Sequence, residues 1–176
     1  VKELYEIYKS HTSISTDTRT IKNNCLFFAL KGGNFNGNKF AKMALENGAS
    51  FAIIDEEEFN ISEKYILVKN VLETLQALAA FHRTYLDIPI IALTGSNGKT
   101  TTKELINTVL SKKYKTTATI GNLNNHIGVP LTLLSMNNET EIGIVEMGAN
   151  HLKEIEFLCN IAKPDYGYIT NFGKAH

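Results

Sequence analysis

The sequence predicts an α/β protein in two parts, a small α/β unit over residues 1–86 and a strand–helix alternating unit over residues 87–176, with the junction near Asp87. Three observations predict it. Short apolar runs of strand length are bounded by Gly, Asn or charged residues. One long stripe at three- and four-residue steps covers residues 71–86 and stops shortly before Pro89, as a helix does. Beyond it, apolar strands alternate with helical patterns, which implies a parallel sheet covered on both faces.

In the first half the strand-length runs are residues 26–30, 51–54 and 65–68. Between the first two lie the loop GGNFNGNKF and a short helix over residues 41–47, closed by Gly48. The stripe over 71–86 is Val71, Leu72, Leu75, Leu78, Ala79, His82 and Leu86. In the second half, strands are expected over residues 90–94, 115–119, 142–147 and 166–170. A helix is expected over 100–111, with Leu105, Ile106, Val109 and Leu110 inward. Residues 128–135 read as partly helical. A further helix is expected over 152–162, with Leu152, Ile155, Leu158 and Cys159 inward.

Composition narrows the function classes. Apolar residues make up 43% and charged residues 20%, enough for a packed core. Lys+Arg and Asp+Glu both number 18, so the chain sets up no global field for nucleic acid or anionic lipid, and no nucleic-acid partner is expected. No apolar run is long enough to span a bilayer and no leader signal opens the chain, so no membrane insertion is expected and the cytoplasm is the expected compartment. Cys25 and Cys159 are far apart, without metal-like spacing, and read as reduced packing residues. The chain starts at Val1 and stops at His176 just after a strand-like run, which reads as a fragment of a longer protein.

In parallel α/β sheets ligands sit at the carboxyl ends of the strands, so chemistry should cluster after residues 94, 119, 147 and 170. It does. After the first of these comes GSNGKTT, residues 95–101. Gly95 and Gly98 let the loop turn its N–H groups, with those of Ser96 and Asn97, toward one point, and the following helix adds its N-terminal partial charge. Lys99 reaches terminal phosphates, the Thr100 hydroxyl suits Mg²⁺, and Thr101 continues the cradle. Leu93 stands where the usual phosphate-loop pattern has its outer glycine, so only the shorter G-x-x-G-K-T remains. Glu146 follows the third strand, placed for Mg²⁺ or its water shell; the alternative is an acid serving the helix that starts near residue 151. Asn171 and His176 follow the last strand at the same edge, and a metal or phosphate role for His176 stands beside an ordinary surface histidine. GNLNNHIGVP follows residue 119. Asn122, Asn124 and Asn125 offer donors and acceptors to an extended polar ligand, while a turn leading into a helix is the other reading. In the first half, STDTR groups Ser15, Thr16, Asp17, Thr18 and Arg19. Arg19 suits a phosphate or carboxylate, and a self-contained Asp–Arg turn is the alternative.

Taken in order, STDTR, LFFALKG, NFNGNKF, GSNGKTTTKE, GNLNNHIGVPLTLL, VEMGANH and ITNFGKAH resemble the Mur ligase family along the whole chain. The phosphate loop is common to the family and to folylpolyglutamate synthase. GNLNNHIGVPLTLL and EMGAN look like the family member that adds D-alanyl-D-alanine to UDP-N-acetylmuramoyl tripeptide. The resemblance implies a UDP-substrate domain over 1–86 and the first part of a P-loop-type ATPase domain over 87–176. It implies ATP and Mg²⁺ as cofactors and a cytoplasmic monomer active in peptidoglycan precursor synthesis through an acyl phosphate. It implies that Gly95 to Thr101 bind ATP, that Lys99, Glu146 and His176 are catalytic, and that Thr100, Glu146 and His176 serve the metal. The UDP-sugar peptide falls to residues 15–19 and to Asn122, Asn124 and Asn125. Two positions depart from the family: Asn36-Gly37-Asn38 replaces a frequent Asp-Gly-His, and Leu152-Lys153 replaces Pro-Gly. The family's carbamylated lysine and third domain are expected beyond His176, so the fragment by itself is expected to be inactive. The rival readings are another amide ligase of the Mur or folylpolyglutamate type, and a non-catalytic nucleotide- or UDP-sugar-binding module.

Overall fold

The computed structural model describes residues 1–11 and 13–173. The chain divides into two compact units, Val1–Leu78 and a second from Ala79 onward. The division falls inside one continuous helix.

The first unit opens with α1 (Lys2–Lys9), an element the sequence reading left out. Leu4, Tyr5 and Tyr8, at helical spacing, are its buried residues. Then follow β1 (Ser13–Ser15), β2 (Cys25–Phe28), an antiparallel ribbon of β3 (Lys31–Gly32) and β4 (Phe35–Asn36), α2 (Ala41–Glu46), β5 (Phe51–Ile54) and β6 (Tyr65–Leu67). The expected loop GGNFNGNKF is therefore this ribbon followed by a 3₁₀ turn, Gly37–Phe40. The sheet is parallel throughout, in the order β1-β2-β5-β6. All four residues of β2 are buried, as a strand covered on both faces requires. Phe27, Ala29, Ala44 and Ile54 belong to the core. Gly37 is forced by a close approach, since a Cβ there would lie 2.4 Å from the Leu30 carbonyl oxygen. Beside it Asn38 is buried. Its amide nitrogen donates to Asp55 Oδ1 (2.9 Å), and its carbonyl accepts the Asp55 N–H (3.0 Å).

The long helix α3 (Val71–Leu86) has the bounds the stripe predicts. Val71, Leu75, Leu78, Ala79 and His82 are buried. Burial depresses the His82 pKa, and its Nε2 donates to the Met136 carbonyl at 2.9 Å.

The second unit alternates β7 (Ile90–Thr94), α4 (Lys99–Leu110), β8 (Thr116–Ala118), α5 (Gly128–Leu134), β9 (Ile142–Glu146), α6 (Glu154–Ala162) and β10 (Tyr166–Ile169). The strands form one parallel sheet in the order β10-β7-β9-β8. All four strands therefore present their carboxyl ends at one edge, where the site assembles. Arg83, buried at the end of α3, donates to the carbonyls of Ala162 and Lys163 at the end of α6 and to Asp165 (2.9 Å). Asp165 also accepts the Ile90 N–H, so one ion pair joins the starts of β7 and β10.

Three expectations fail here. On α4 the expected inward residues Leu105 and Val109 are 63% and 69% exposed, and Ile106 and Leu110 are only partly covered. The residue α4 buries completely is Lys103. Periodicity tells which residues share a face, not which face meets the sheet, and here a lysine's long stem covers the sheet. On the next helix Leu152 is 96% exposed, because α6 begins only at Glu154 after Lys153 takes a left-handed backbone (φ +69°). Finally, β10 is not covered on both faces: all four of its residues are exposed at the sheet edge.

Candidate functional site

The loop after β7 is held by its own glycines and by the segment after β10. Gly95 has φ +138°, and a Cβ there would lie 2.1 Å from Thr170 Oγ1. Gly98 has φ +78°, and a Cβ there would meet nothing within 4 Å. The two glycines thus do different work: Gly95 admits a neighbouring segment, and Gly98 turns the chain into α4 beside open space. Lys99 Nζ donates to the Gly95 carbonyl at 2.8 Å, folded back over its own loop. The N–H groups of Lys99, Thr100 and Thr101 open α4 and have no intrahelical acceptor, which suits an anion.

Glu146 ends β9 buried beneath this loop. Its Oε1 accepts from Thr100 Oγ1 (3.3 Å) and from Asn124 Nδ2 (2.8 Å). Its Oε2 is a buried side-chain oxygen with no hydrogen-bond partner among the described residues. A buried carboxylate oxygen left this way is costly unless something else meets it. The alternative role for Glu146, an acid serving the next helix, belongs instead to Glu154. Its Oε2 accepts the N–H groups of Asn150 (2.6 Å) and His151 (3.0 Å), and these bonds hold its carboxyl below the usual range.

The loop after β8 supplies the asparagines. Asn122 is exposed; Asn124 holds Glu146; Asn125 Oδ1 accepts the N–H groups of Ile127 and Gly128 at the start of α5. Asn122, Asn124 and Asn125 line one groove of about 660 Å³ with Ser96, Lys99, His126, Asn150 and His151. A second cavity of about 370 Å³ lies between Gly95, Ser96, Lys99, Asn171 and Phe172.

Sequence reasoning missed Lys103 and Thr119. Lys103 Nζ donates to the Thr119 carbonyl (2.7 Å) and pairs with Glu104 (2.8 Å). Thr119 Oγ1 in turn accepts the Glu146 N–H at 2.9 Å. A ring of contacts therefore runs from α4 through residue 119 to Glu146 and back to Thr100 on α4. The signal was present in the sequence: Lys103 lies one helical turn beyond Lys99, on the same face.

In the first unit, residues 15–19 form a self-contained turn. Asp17 accepts the Arg19 N–H (2.9 Å) and pairs with its guanidinium (2.5 Å), which lowers the Asp17 pKa to about 2. Ser15 Oγ donates to the Asp17 carbonyl, Thr18 opens the 3₁₀ turn, and Thr16 is half-buried. Asn36 and Asn38, where the family pattern departs, are engaged by Glu56 and Asp55. His176 lies outside the described residues.

Two family profiles match the chain. One, described as Mur ligase family, catalytic domain, covers residues 10–83, and the other, Mur ligase middle domain, covers residues 93–176. The chain belongs to the Mur ligase family. The UDP-N-acetylmuramoyl-tripeptide–D-alanyl-D-alanine ligase of Bacillus subtilis (strain 168) is 44% identical over 165 residues, 93% of this chain and 36% of that protein. The Escherichia coli (strain K12) protein of the same name is 38% identical over 164 residues, again 93% of this chain and 36% of its own length. Among solved Mur ligases, MurF of Acinetobacter baumannii superimposes with TM-score 0.87 at 34% identity, over 99% of this chain and 41% of that one. MurF ligase of Thermotoga maritima in complex with ADP gives TM-score 0.84 at 34% identity, over 96% of this chain and 39% of that one. The chain thus spans little more than a third of the curated Mur ligases it matches. No helix among the described residues is long and apolar enough to cross a membrane.

Proposed function

We propose that the protein works as an ATP-dependent ligase that joins D-alanyl-D-alanine to UDP-N-acetylmuramoyl tripeptide, a cytoplasmic monomer active in peptidoglycan precursor synthesis. Residues 1–86 form the UDP-substrate domain, and residues 87–176 the first part of the ATPase domain. The observation that carries this reading is the unspent chemistry at one sheet edge. Among the described residues, the first turn of α4 offers free N–H groups, Lys99 offers a charge, and Glu146 Oε2 is buried without a partner. The names and the ADP complex of the relatives support the same reading.

A carboxylate is a poor electrophile and needs a leaving group. In the proposed reaction the terminal carboxylate oxygen of the tripeptide attacks the γ-phosphorus of ATP, and ADP leaves. The amine of D-alanyl-D-alanine then attacks the acyl carbon, loses a proton, and expels phosphate. The α4 N–H groups and Lys99 bind and orient the phosphates and neutralise the charge that develops on the transferred group. Asn122, Asn124 and Asn125 line the groove that leads to Lys99 and suit the peptide end of the substrate. Residues 15–19 suit the UDP moiety, once Arg19 exchanges Asp17 for a phosphate.

The donor set fits Mg²⁺. Thr100 and Glu146 are both hard oxygen donors, and Glu146 Oε2 has no partner among the described residues. Among the described residues no cluster of three or more His, Cys, Asp or Glu could hold a metal, and Mg²⁺ bound with phosphates needs only one or two protein ligands. When bound, the ion would neutralise phosphate charge. Steady-state phosphate release by the complete protein tests the proposal. It should require ATP, UDP-N-acetylmuramoyl tripeptide and D-alanyl-D-alanine together. Release that persists without either acceptor, or binding with no turnover, would favour a hydrolase or a simple binding module instead.

A further inference from the structure

The phosphate loop does not hold its shape alone. Asn171 Oδ1 accepts two consecutive loop amides, Ser96 N–H and Asn97 N–H, each at 3.0 Å. Around this pair, Thr170 Oγ1 donates to the Asn97 carbonyl (2.6 Å), Ser96 Oγ donates to the Gly173 carbonyl (2.6 Å), and Gly173 N–H donates to Ser96 Oγ (2.9 Å). The Thr170 N–H itself continues the β10–β7 ladder to Thr94. The segment after β10 is therefore a strap laid across the loop after β7, and Gly95 lacks a Cβ at the point where the strap crosses.

Two donors that a phosphate loop would offer to an anion are thus already taken. We infer that Asn171 is a positioning residue: its carboxamide oxygen occupies the Ser96 and Asn97 amides, fixes the loop, and leaves phosphate binding to the first turn of α4 and Lys99. The inference rests on the nucleotide reading above for its second half only. The chemistry explains why the residue is an amide. Two converging N–H groups attract any oxygen. A carboxylate there would bind them at least as well, but would place a negative charge in the cavity it shares with Lys99. A neutral carboxamide holds the loop without competing for the lysine or repelling a phosphate.

Two variants in the complete protein separate these roles. In the ligand-free state, the Asn97 amide should exchange about ten-fold or more faster in Asn171→Ala than in the wild type, and the Ser96 amide less so, because it also reaches the Asn171 backbone carbonyl at 3.4 Å, which the variant keeps. In Asn171→Asp they should stay protected, with an unchanged melting temperature. Titration with ADP and Mg²⁺ should show about ten-fold weaker binding for both variants, through a loosened loop in the first and through added charge in the second. The loss in Asn171→Asp should shrink as salt rises. If Asn171→Ala fails to fold, Asn171→Asp alone decides. Equal exchange at Asn97 in wild type and Asn171→Ala, or full ADP affinity in folded Asn171→Asp, overturns the inference. A wild type with protected amides that binds no ADP overturns the nucleotide reading and leaves the clamp standing.

Discussion

The turn at residues 15–19 pairs its charged groups within itself, whereas the loop at residues 95–101 pairs its amides and the Ser96 hydroxyl with the segment after β10 and leaves its lysine to a backbone carbonyl. In the turn, Asp17 and Arg19 satisfy each other, and Ser15 bonds back to the backbone. In the loop region, among the described residues, Lys99 reaches a neighbouring carbonyl, Gly98 faces open space, and Glu146 keeps one buried oxygen without a partner. The difference teaches where a polar cluster is already closed and where it waits for something. A cluster whose members can pair within two residues stabilises a turn by itself. A cluster spread over three strand ends pairs only in part: Thr100 and Asn124 reach Glu146 Oε1, while Oε2 is met by no group among the described residues.

The sharpest way to break this contrast is Lys99→Ala. If the loop is open to ligand, the variant should lose about 3–4 kcal/mol of transition-state stabilisation, several hundred-fold or more in turnover. Its stability should move by no more than about 1 kcal/mol, because the one bond lost is to a loop carbonyl. Single-turnover kinetics beside a melting curve reads both; near-normal turnover at saturating ATP would remove Lys99 from the chemistry.

A smaller effect separates the two loop glycines. Gly95→Ala meets both an unfavourable φ of +138° and the Thr170 hydroxyl at 2.1 Å, and should destabilise the protein by about 1–3 kcal/mol. Gly98→Ala meets only its φ of +78° and should cost about 1 kcal/mol. Chemical denaturation of the two variants compares them directly, and equal costs would mean that the strap does not press on Gly95.

The smallest effect is expected in the turn. The Asp17 carboxyl should titrate near 2 in the wild type and move toward its ordinary 3.8 in Arg19→Ala, as followed by NMR. The sign follows from the lowered value. Whatever stability this pair contributes is present above the unfolded pKa and is lost as pH falls through the folded one. The pair is exposed, so the melting temperature at neutral pH should hardly change. Calorimetry on the complete protein should then show weaker UDP-substrate binding and unchanged nucleotide affinity in Arg19→Ala; equal loss of both would undo the division between the two parts of the chain.

Much of this was legible beforehand, for physical reasons. α3 spans sixteen residues, and its stripe repeats often enough to set both bounds. β5 and β7 are short apolar runs with clear breaks at each end. The loop after β7 is legible because its backbone turns, at φ +138° and +78°, demand glycines. What stayed hidden depends on which face is covered. Leu105 and Val109 share a face with each other, but the sheet lies against Lys103 instead. The asparagines of residues 122–125 looked alike as sequence, and only the fold assigns Asn124 to Glu146 and Asn125 to the start of α5. As sequence, Asn171 shows only its place at the sheet edge. Its two-amide grip needs the strap and the loop to be neighbours, which the order β10-β7 provides.

The edge strand β10 has a consequence for how the 176-residue chain by itself behaves in bulk. Tyr166, Tyr168 and Ile169 are exposed, and so is Phe172 just after them. The outer side of the strand carries backbone groups that no strand among the described residues pairs. Such an edge is a template for another strand, from any chain that can lie alongside. Kept dilute, the 176-residue chain should remain dispersed; as it is concentrated, copies should add edge to edge and scatter light, and Tyr168→Lys should raise the concentration at which this begins.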